Sequence, residues 1–412
     1  MTLRAAALLL LTGALACTTA TPPPPAAPAP APKVDAQTLA AIQQLEEAVA
    51  QQPANMPWIY ILAMYYDRAH QGENAVKWLT RLDELGWQQG VAAHDFRNTK
   101  SAAFRDVVAK LEAREPRVNN ARPAFTLTGH RTLIPEGITW DPVDEVFYVT
   151  SIYERKVLRV TRDGRTTDFV PSAHEGMLGG LGTHIDQERR LLWVSTAAAP
   201  EMSGATPDTE GRAALFAFDL RDGRVVRKAE LGSKEQPSLL NDFVILPDGT
   251  LLVTDTVRNN IVRLAPGSTT LEPWLEDFRF PNGIVLSDDQ RTLYVADFRG
   301  ITRINLADKT RQKIEPAGGV ILSGIDGLAL HRGQVIAIQN AIGKARVLRI
   351  GPDSGRVEIL ESKNAAFEIP TTGVVVGDEL WFIANPGLRS FDEGKLWPVE
   401  KLEEPIMLRL PL

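Results

Sequence analysis

A glutamate, two asparagines and an aspartate recur at one phase of a repeated pattern in the C-terminal two-thirds of this 412-residue chain. They stand in Pro135-Glu136-Gly137, Leu240-Asn241-Asp242, Pro281-Asn282-Gly283 and Ile325-Asp326-Gly327. Each motif reads as a short turn that opens a strand pair. The second strands of those pairs read Phe147-Tyr148-Val149-Thr150, Leu252-Val253-Thr254-Asp255, Tyr294-Val295-Ala296-Asp297 and Ile336-Ala337-Ile338-Gln339. Taken singly, Asn-Gly and Asp-Gly are ordinary turns. The chemistry comes from their shared phase. If the repeat closes into a ring, two carboxylates (Glu136, Asp326) and two carboxamides (Asn241, Asn282) meet at its centre. Crowding them there without a cation would be costly. An all-oxygen set suits a hard cation, so Ca²⁺ is expected, with Mg²⁺ or Mn²⁺ as alternatives. One cysteine, Cys17, and no clear histidine cluster speak against zinc.

The elements that must position these residues form a repeat that can be aligned by eye. Its units begin at Glu136, Gly182, Asn241, Asn282, Asp326 and Thr371. The last four are 41, 44 and 45 residues apart. The earlier steps are 46 and 59, the longer one absorbing a polar insertion from Ala199 to Arg212. A four-stranded unit of roughly 40 to 45 residues is the size of a propeller blade. Six units predict a mainly β fold, a six-bladed β-propeller over residues 123–412. The strand around Phe125-Thr126-Leu127 should join the last blade and close the ring. No Trp-Asp signature repeats.

Upstream the pattern is helical over residues 34–116. Stripes at spacings of three and four run through Leu39, Ile42, Leu45 and Val49, then Trp58, Ile61, Leu62 and Tyr65. Two more follow, Ala75 to Leu85 and Phe104 to Leu111, with Gly72 and Gly86 placed as stops. Pro53 to Leu82 resembles one tetratricopeptide-type hairpin, which implies a docking module. The other reading is a small bundle packed against the propeller, since a solenoid usually needs about three repeats. Residues 17–33 are mostly Thr, Ala and Pro and read as an extended tether. Residues 1–16 carry Arg4, an apolar run and Ala14-Leu15-Ala16 before Cys17. That resembles a bacterial lipoprotein signal, with Cys17 lipidated; an ordinary cleaved signal peptide is the alternative. The expected location is the cell envelope, membrane-anchored and facing the periplasm or in the outer membrane. The formal charge of −6 and the absence of a Lys/Arg run exclude a nucleic-acid partner.

At the four motifs, and in the strings Asn241 to Asp255 and Pro281 to Asp297, residues 123–390 resemble the gluconolactonase/regucalcin (senescence-marker-protein) family. Paraoxonases are more distant. The resemblance implies a central divalent metal held by Glu136, Asn282 and Asp326. It places Asn241 and Asp242 on metal, water or substrate. It further implies lactone or ester hydrolysis, with Asp326 or a metal-activated water supplying the nucleophile and Asp242 as a further catalytic carboxylate. Gly327 stands where paraoxonases carry an asparagine ligand, which favours the simpler gluconolactonase-type site. His184 is a possible further member of the site; His174 and His331 fall in a loop and a hairpin turn. Specificity is expected from Ala199–Arg212 and Phe278–Phe280. The expected activity is therefore a metal-dependent hydrolase acting on a small lactone or ester, with a possible protein partner at the helices. The rival is a non-catalytic propeller scaffold with a structural cation, because fold alone does not fix function.

Overall fold

The structure, a computed structural model, describes residues 34–392 and 394–412. The expected signal peptide, Cys17 and the whole of the tether lie outside the described residues.

Six four-stranded antiparallel sheets follow one another from Pro135 onward. Their first strands contact one another in sequence, and the first strand of the sixth sheet touches that of the first. This is a closed six-bladed propeller. The innermost strands are Pro135–Asp141, Gly179–Asp186, Leu240–Ile245, Ile284–Leu286, Ile325–His331 and Gly373–Val376. The sixth blade takes its outermost strand, Arg122–Thr126, from the start of the domain. That strand pairs with the last strand, Ile406–Pro411, with Phe125 opposite Met407. The ring is closed as the Phe125 region predicted, by pairing the first strand of the domain with the last.

The second strands explain why the repeat reads as short apolar runs. Both faces of each are buried, so residues alternate between two neighbours rather than between core and water. Phe147 and Val149 pack with Trp381 and Ile383 of blade six. Tyr148, between them, packs with Val194 and Phe216 of blade two. Each of the six seams carries such an apolar cluster. The Phe147 and Trp381 rings lie 5.0 Å apart. Burying a side chain of that size contributes about 1.5–3 kcal/mol.

Four helices precede the propeller: α1 (Ala36–Gln51), α2 (Met56–Arg68), α3 (Gly72–Leu85) and α4 (Ala102–Arg114). Asp35, Asn55 and Ser101 cap α1, α2 and α4 through side-chain oxygens. Gly86 ends α3 in the left-handed conformation, as expected, but Gly72 opens α3 instead of stopping α2. Tyr60 stacks on Trp87 at 5.2 Å in the bundle core, which also takes in Ile342 of the propeller. Among the described residues no helix is long and apolar enough to cross a membrane.

The bundle sits on one end of the propeller. Its partners Phe298, Ile321, Ile342, Lys344, Lys363 and Arg389 all lie in connections at the end where the innermost strands begin. The buried Arg346 guanidinium ties the two parts together, donating to Gln89 at 3.1 Å and to Gln339 at 2.6 Å.

Candidate metal centre

The four motifs are not turns. Glu136-Gly137, Asn241-Asp242 and Asp326-Gly327 lie inside innermost strands, where the pairing register shifts: between Pro135 and Ile138, Leu240 and Phe243, and Ile325 and Leu328. These are β-bulges, which re-aim side chains at a rim. The first residue of each pair points its side chain out of the ladder.

The second residue explains the glycines. A Cβ on Gly137 would lie 2.2 Å from the Leu181 carbonyl oxygen, one on Gly283 2.4 Å from that of Asp326, and one on Gly327 2.8 Å from that of Thr371. Glycine is needed for close approach of neighbouring backbones, since none of these residues has a positive φ. The same measure corrects blade two by one residue. Gly182 approaches the Asn241 carbonyl at 2.7 Å, so Leu181, not Gly182, is in phase with Glu136.

Hydroxyls stitch the ring at the same level. Thr150 donates to the Leu181 carbonyl at 2.6 Å, Thr254 to that of Asn282 at 2.8 Å, and Ser195 to that of Asn241. Thr371 and Thr372 both donate to the Glu136 carbonyl, at 3.0 and 2.5 Å. The backbones of Asn241, Asn282 and Glu136 are thereby held by the preceding blade of the ring.

Within this frame Asn282 and Asp326 meet directly: the Asn282 Nδ2 donates to Asp326 Oδ1 at 2.6 Å. Asn340, which the sequence reading had not placed in the site, donates to the other oxygen, Oδ2, at 2.5 Å, and to the Pro370 carbonyl at 2.9 Å. Asp242 accepts from the Phe243 N–H at 2.9 Å. His184 Nε2 lies 3.0 Å from the same Asp242 oxygen, and its ring packs edge-on to Phe243 at 4.9 Å. Asn241 holds the equivalent position in blade three. Its Nδ2 donates to Thr256 at 3.2 Å, and among the described residues no hydrogen bond joins it to the carboxylates. His174 starts a one-turn helix in the crossover to blade two, and His331 pairs with Asp378 at 2.8 Å in the hairpin region of blade five.

The electrostatics of this cluster are unbalanced. Burial, and then the Asp326 and Asp242 carboxylates, push Glu136 well above the usual glutamate range. Burial pushes Asp326 up to about 6, with hydrogen bonds from Asn340 and Asn282 opposing and Asp242 adding to the rise. Two buried oxygens, Glu136 Oε2 and Asn282 Oδ1, have no hydrogen-bond partner. Orphaned acceptors beside mutually repelling carboxylates fit a hard divalent cation, which would satisfy both. Among the described residues no three His, Cys, Asp or Glu side chains form a ligand cluster, so carboxamides would have to complete the donor set.

Fold and centre together define a six-bladed propeller whose innermost strands aim oxygen donors at one end of its channel. Residues 134–380 match the family model described as SMP-30/Gluconolactonase/LRE-like region, and the chain belongs to that family. No curated protein sequence matches it significantly. Among solved structures it is similar to a gluconolactonase from Xanthomonas campestris, at 18% identity and a TM-score of 0.50, over 72% of this chain and 91% of that one. It is also similar to a calcium-binding regucalcin from Agrobacterium tumefaciens strain C58, at 19% identity and a TM-score of 0.51, over 72% and 97%. A luciferin-regenerating enzyme aligns at 15% identity and a TM-score of 0.50, over 69% and 93%.

Proposed function

We propose that the chain is a divalent-metal-dependent hydrolase of lactones or esters, with Glu136, Asn282, Asp326 and Asn241 holding the cation and Ca²⁺ the preferred ion. The observation that carries this is the pair of orphaned buried oxygens, Glu136 Oε2 and Asn282 Oδ1, beside carboxylates, Asp326 and Asp242, that push Glu136 upward. Family membership supports the reaction class. When bound, the cation would supply Lewis-acid polarisation of the substrate carbonyl.

The chain's own residues have separable tasks. Asp326 is oriented by Asn282 and Asn340 and is the group that takes a proton from an attacking water. Asp242, held by the Phe243 N–H, orients His184 and fixes a proton on its Nε2. A structural ion alone would leave the Asp242–His184 pair without a task. The envelope location, with Cys17 lipidated and the tether lifting the folded part from the membrane, is part of the same proposal and rests on the sequence of residues 1–33.

Calorimetric Ca²⁺ titration of a chain beginning near Lys33, beside Asp326→Ala, tests the centre. One saturable site that vanishes in the variant supports the reading and leads to a lactone panel. If the wild-type chain binds none of Ca²⁺, Mg²⁺ or Mn²⁺, the hydrolase reading is lost and the scaffold reading stands.

A further inference from the structure

A cavity of about 740 Å³ opens at the seam between the helical bundle and blades four and five. One wall is the start of α2 with Met56, Pro57 and Trp58. The other is made of the two crossovers that lead to Asn282 and to Asp326, together with the Phe298-Arg299 connection. It is thus on the same end of the propeller as the candidate metal centre, but outside the channel.

The cavity is amphiphilic. Met56, Pro57, Ile314, Val320 and Leu322 give it an apolar floor, while Arg279, Arg299, Arg311 and Lys313 bring positive charge. Most of that charge is already engaged. Arg299 pairs with Asp297 at 2.9 Å and with Asp277 at 3.5 Å. Arg311 donates to the backbone carbonyls of Glu276 and Asp277, and Lys313 faces Glu315 at 3.9 Å.

Arg279 differs. Its guanidinium lies 5.5 Å from the Trp58 ring centroid and 5.3 Å from that of Phe298. Among the described residues it has no carboxylate partner, and its side chain makes no hydrogen bond. Its backbone is fixed, with its N–H donating to Asp297 at 3.1 Å and its carbonyl accepting from the Phe298 N–H at 2.7 Å. Two aromatic rings therefore hold the fork in place while its N–H edges stay free. A planar fork of this kind matches a carboxylate with two parallel hydrogen bonds. A cavity of several hundred cubic ångströms with an apolar lining and few polar groups is the form of a small-molecule site.

We propose that this seam cavity binds a small organic carboxylate, its head on the Arg279 fork and its apolar body on the floor between α2 and blade five. The site needs residues from the bundle, Trp58 on the Arg279 fork and Met56 and Pro57 on the floor, and so exists only where bundle and propeller are docked. It stands independently of the hydrolase reading of the channel.

The test uses 3-phenylpropanoate, titrated calorimetrically into the chain beginning near Lys33 in chelator, so that no cation in the channel offers a second carboxylate site. Neutral 3-phenylpropanol and inorganic phosphate are run beside it. The expected result is one saturable site for the carboxylate, at least tenfold weaker for either control. Arg279→Gln should weaken it about 10- to 100-fold, the range of a charge-assisted bidentate contact. Arg279→Lys keeps the charge and loses the fork, and should weaken it at least fivefold. Trp58→Leu should weaken it with circular dichroism unchanged, and Asp326→Asn should leave it intact. Binding that survives Arg279→Gln, that phosphate matches, or that disappears in Asp326→Asn overturns the proposal, as does the absence of binding to the wild-type chain.

Discussion

Asp326→Asn should stabilise the metal-free protein at pH 8 while abolishing its response to calcium. In the folded chain Asp326 rises from the usual 3.8 to about 6. A raised folded value means that the ionised carboxylate costs stability. The contribution of Asp326 to stability is fully present below 3.8 and is lost as pH rises through about 6. The difference of about two units corresponds to about 3 kcal/mol once Asp326 is fully ionised. The asparagine avoids that cost but gives up one acceptor, leaving a hydrogen bond from Asn282 or Asn340 unmade, at about 1 kcal/mol. The variant should therefore be more stable by about 2 kcal/mol at pH 8 in chelator. Near pH 4.5 only about 1 kcal/mol of the ionisation cost has developed, so the two proteins should be about equal. Calcium at 100 times its dissociation constant adds about 2.7 kcal/mol to the wild-type protein and nothing to the variant, which reverses the order. Urea unfolding at both pH values, with chelator and with calcium, reads all of this. If the variant is less stable than wild type by the same amount at pH 4.5 and pH 8 in chelator, the buried Asp326 carboxylate carries no ionisation cost and the argument for a cation fails.

Three further outcomes follow from the same geometry. Gly283→Ala would put a Cβ 2.4 Å from the Asp326 carbonyl oxygen and should cost about 1–3 kcal/mol, with calcium affinity falling as the two ligands are displaced. Thr254→Val removes the donor to the Asn282 carbonyl and the acceptor of the Asp242 N–H, and should cost about 1–2 kcal/mol in urea unfolding. His184→Gln should leave calcium affinity within about twofold by calorimetry, yet lower kcat on any lactone substrate about 100-fold if His184 handles a proton.

The repeat was legible because each blade must bury both faces of its second strand, which writes short apolar runs at a fixed period. Glu136, Asn282 and Asp326 were legible as one site because the ring maps one phase onto one level of the channel. The function of their glycines was not. Asn-Gly and Asp-Gly carry the same letters in a turn as in a bulge, and only the distance to the next blade's carbonyl separates the two. Asn340 was hidden for a related reason. It lies past the end of the second strand, and its role depends on where the Pro370 crossover of the following blade passes. The bundle's position over the site end was likewise unreadable, since it rests on contacts such as Gln89 with Arg346, more than two hundred residues apart. The blade-two offset arose because Gly182 is the recognisable letter of the pair, whereas Leu181 is the one that carries the phase.

The bulge assigns two duties to two adjacent residues. Where the second residue is glycine it docks the next blade through its backbone, while the first residue holds the seat at the channel level. Four of the six seats carry Glu136, Asn241, Asn282 and Asp326; the other two hold Leu181 and Thr371. Because docking at Gly137, Gly182, Gly283 and Gly327 runs through main-chain atoms, the occupants of the seats beside them can change without disturbing that contact. Leu181, packed in the apolar cluster between blades two and three, shows that a seat can serve the core instead of the site. The scaffold is thus a six-place holder in which chemistry is set one side chain at a time, while the neighbouring glycines keep the ring closed.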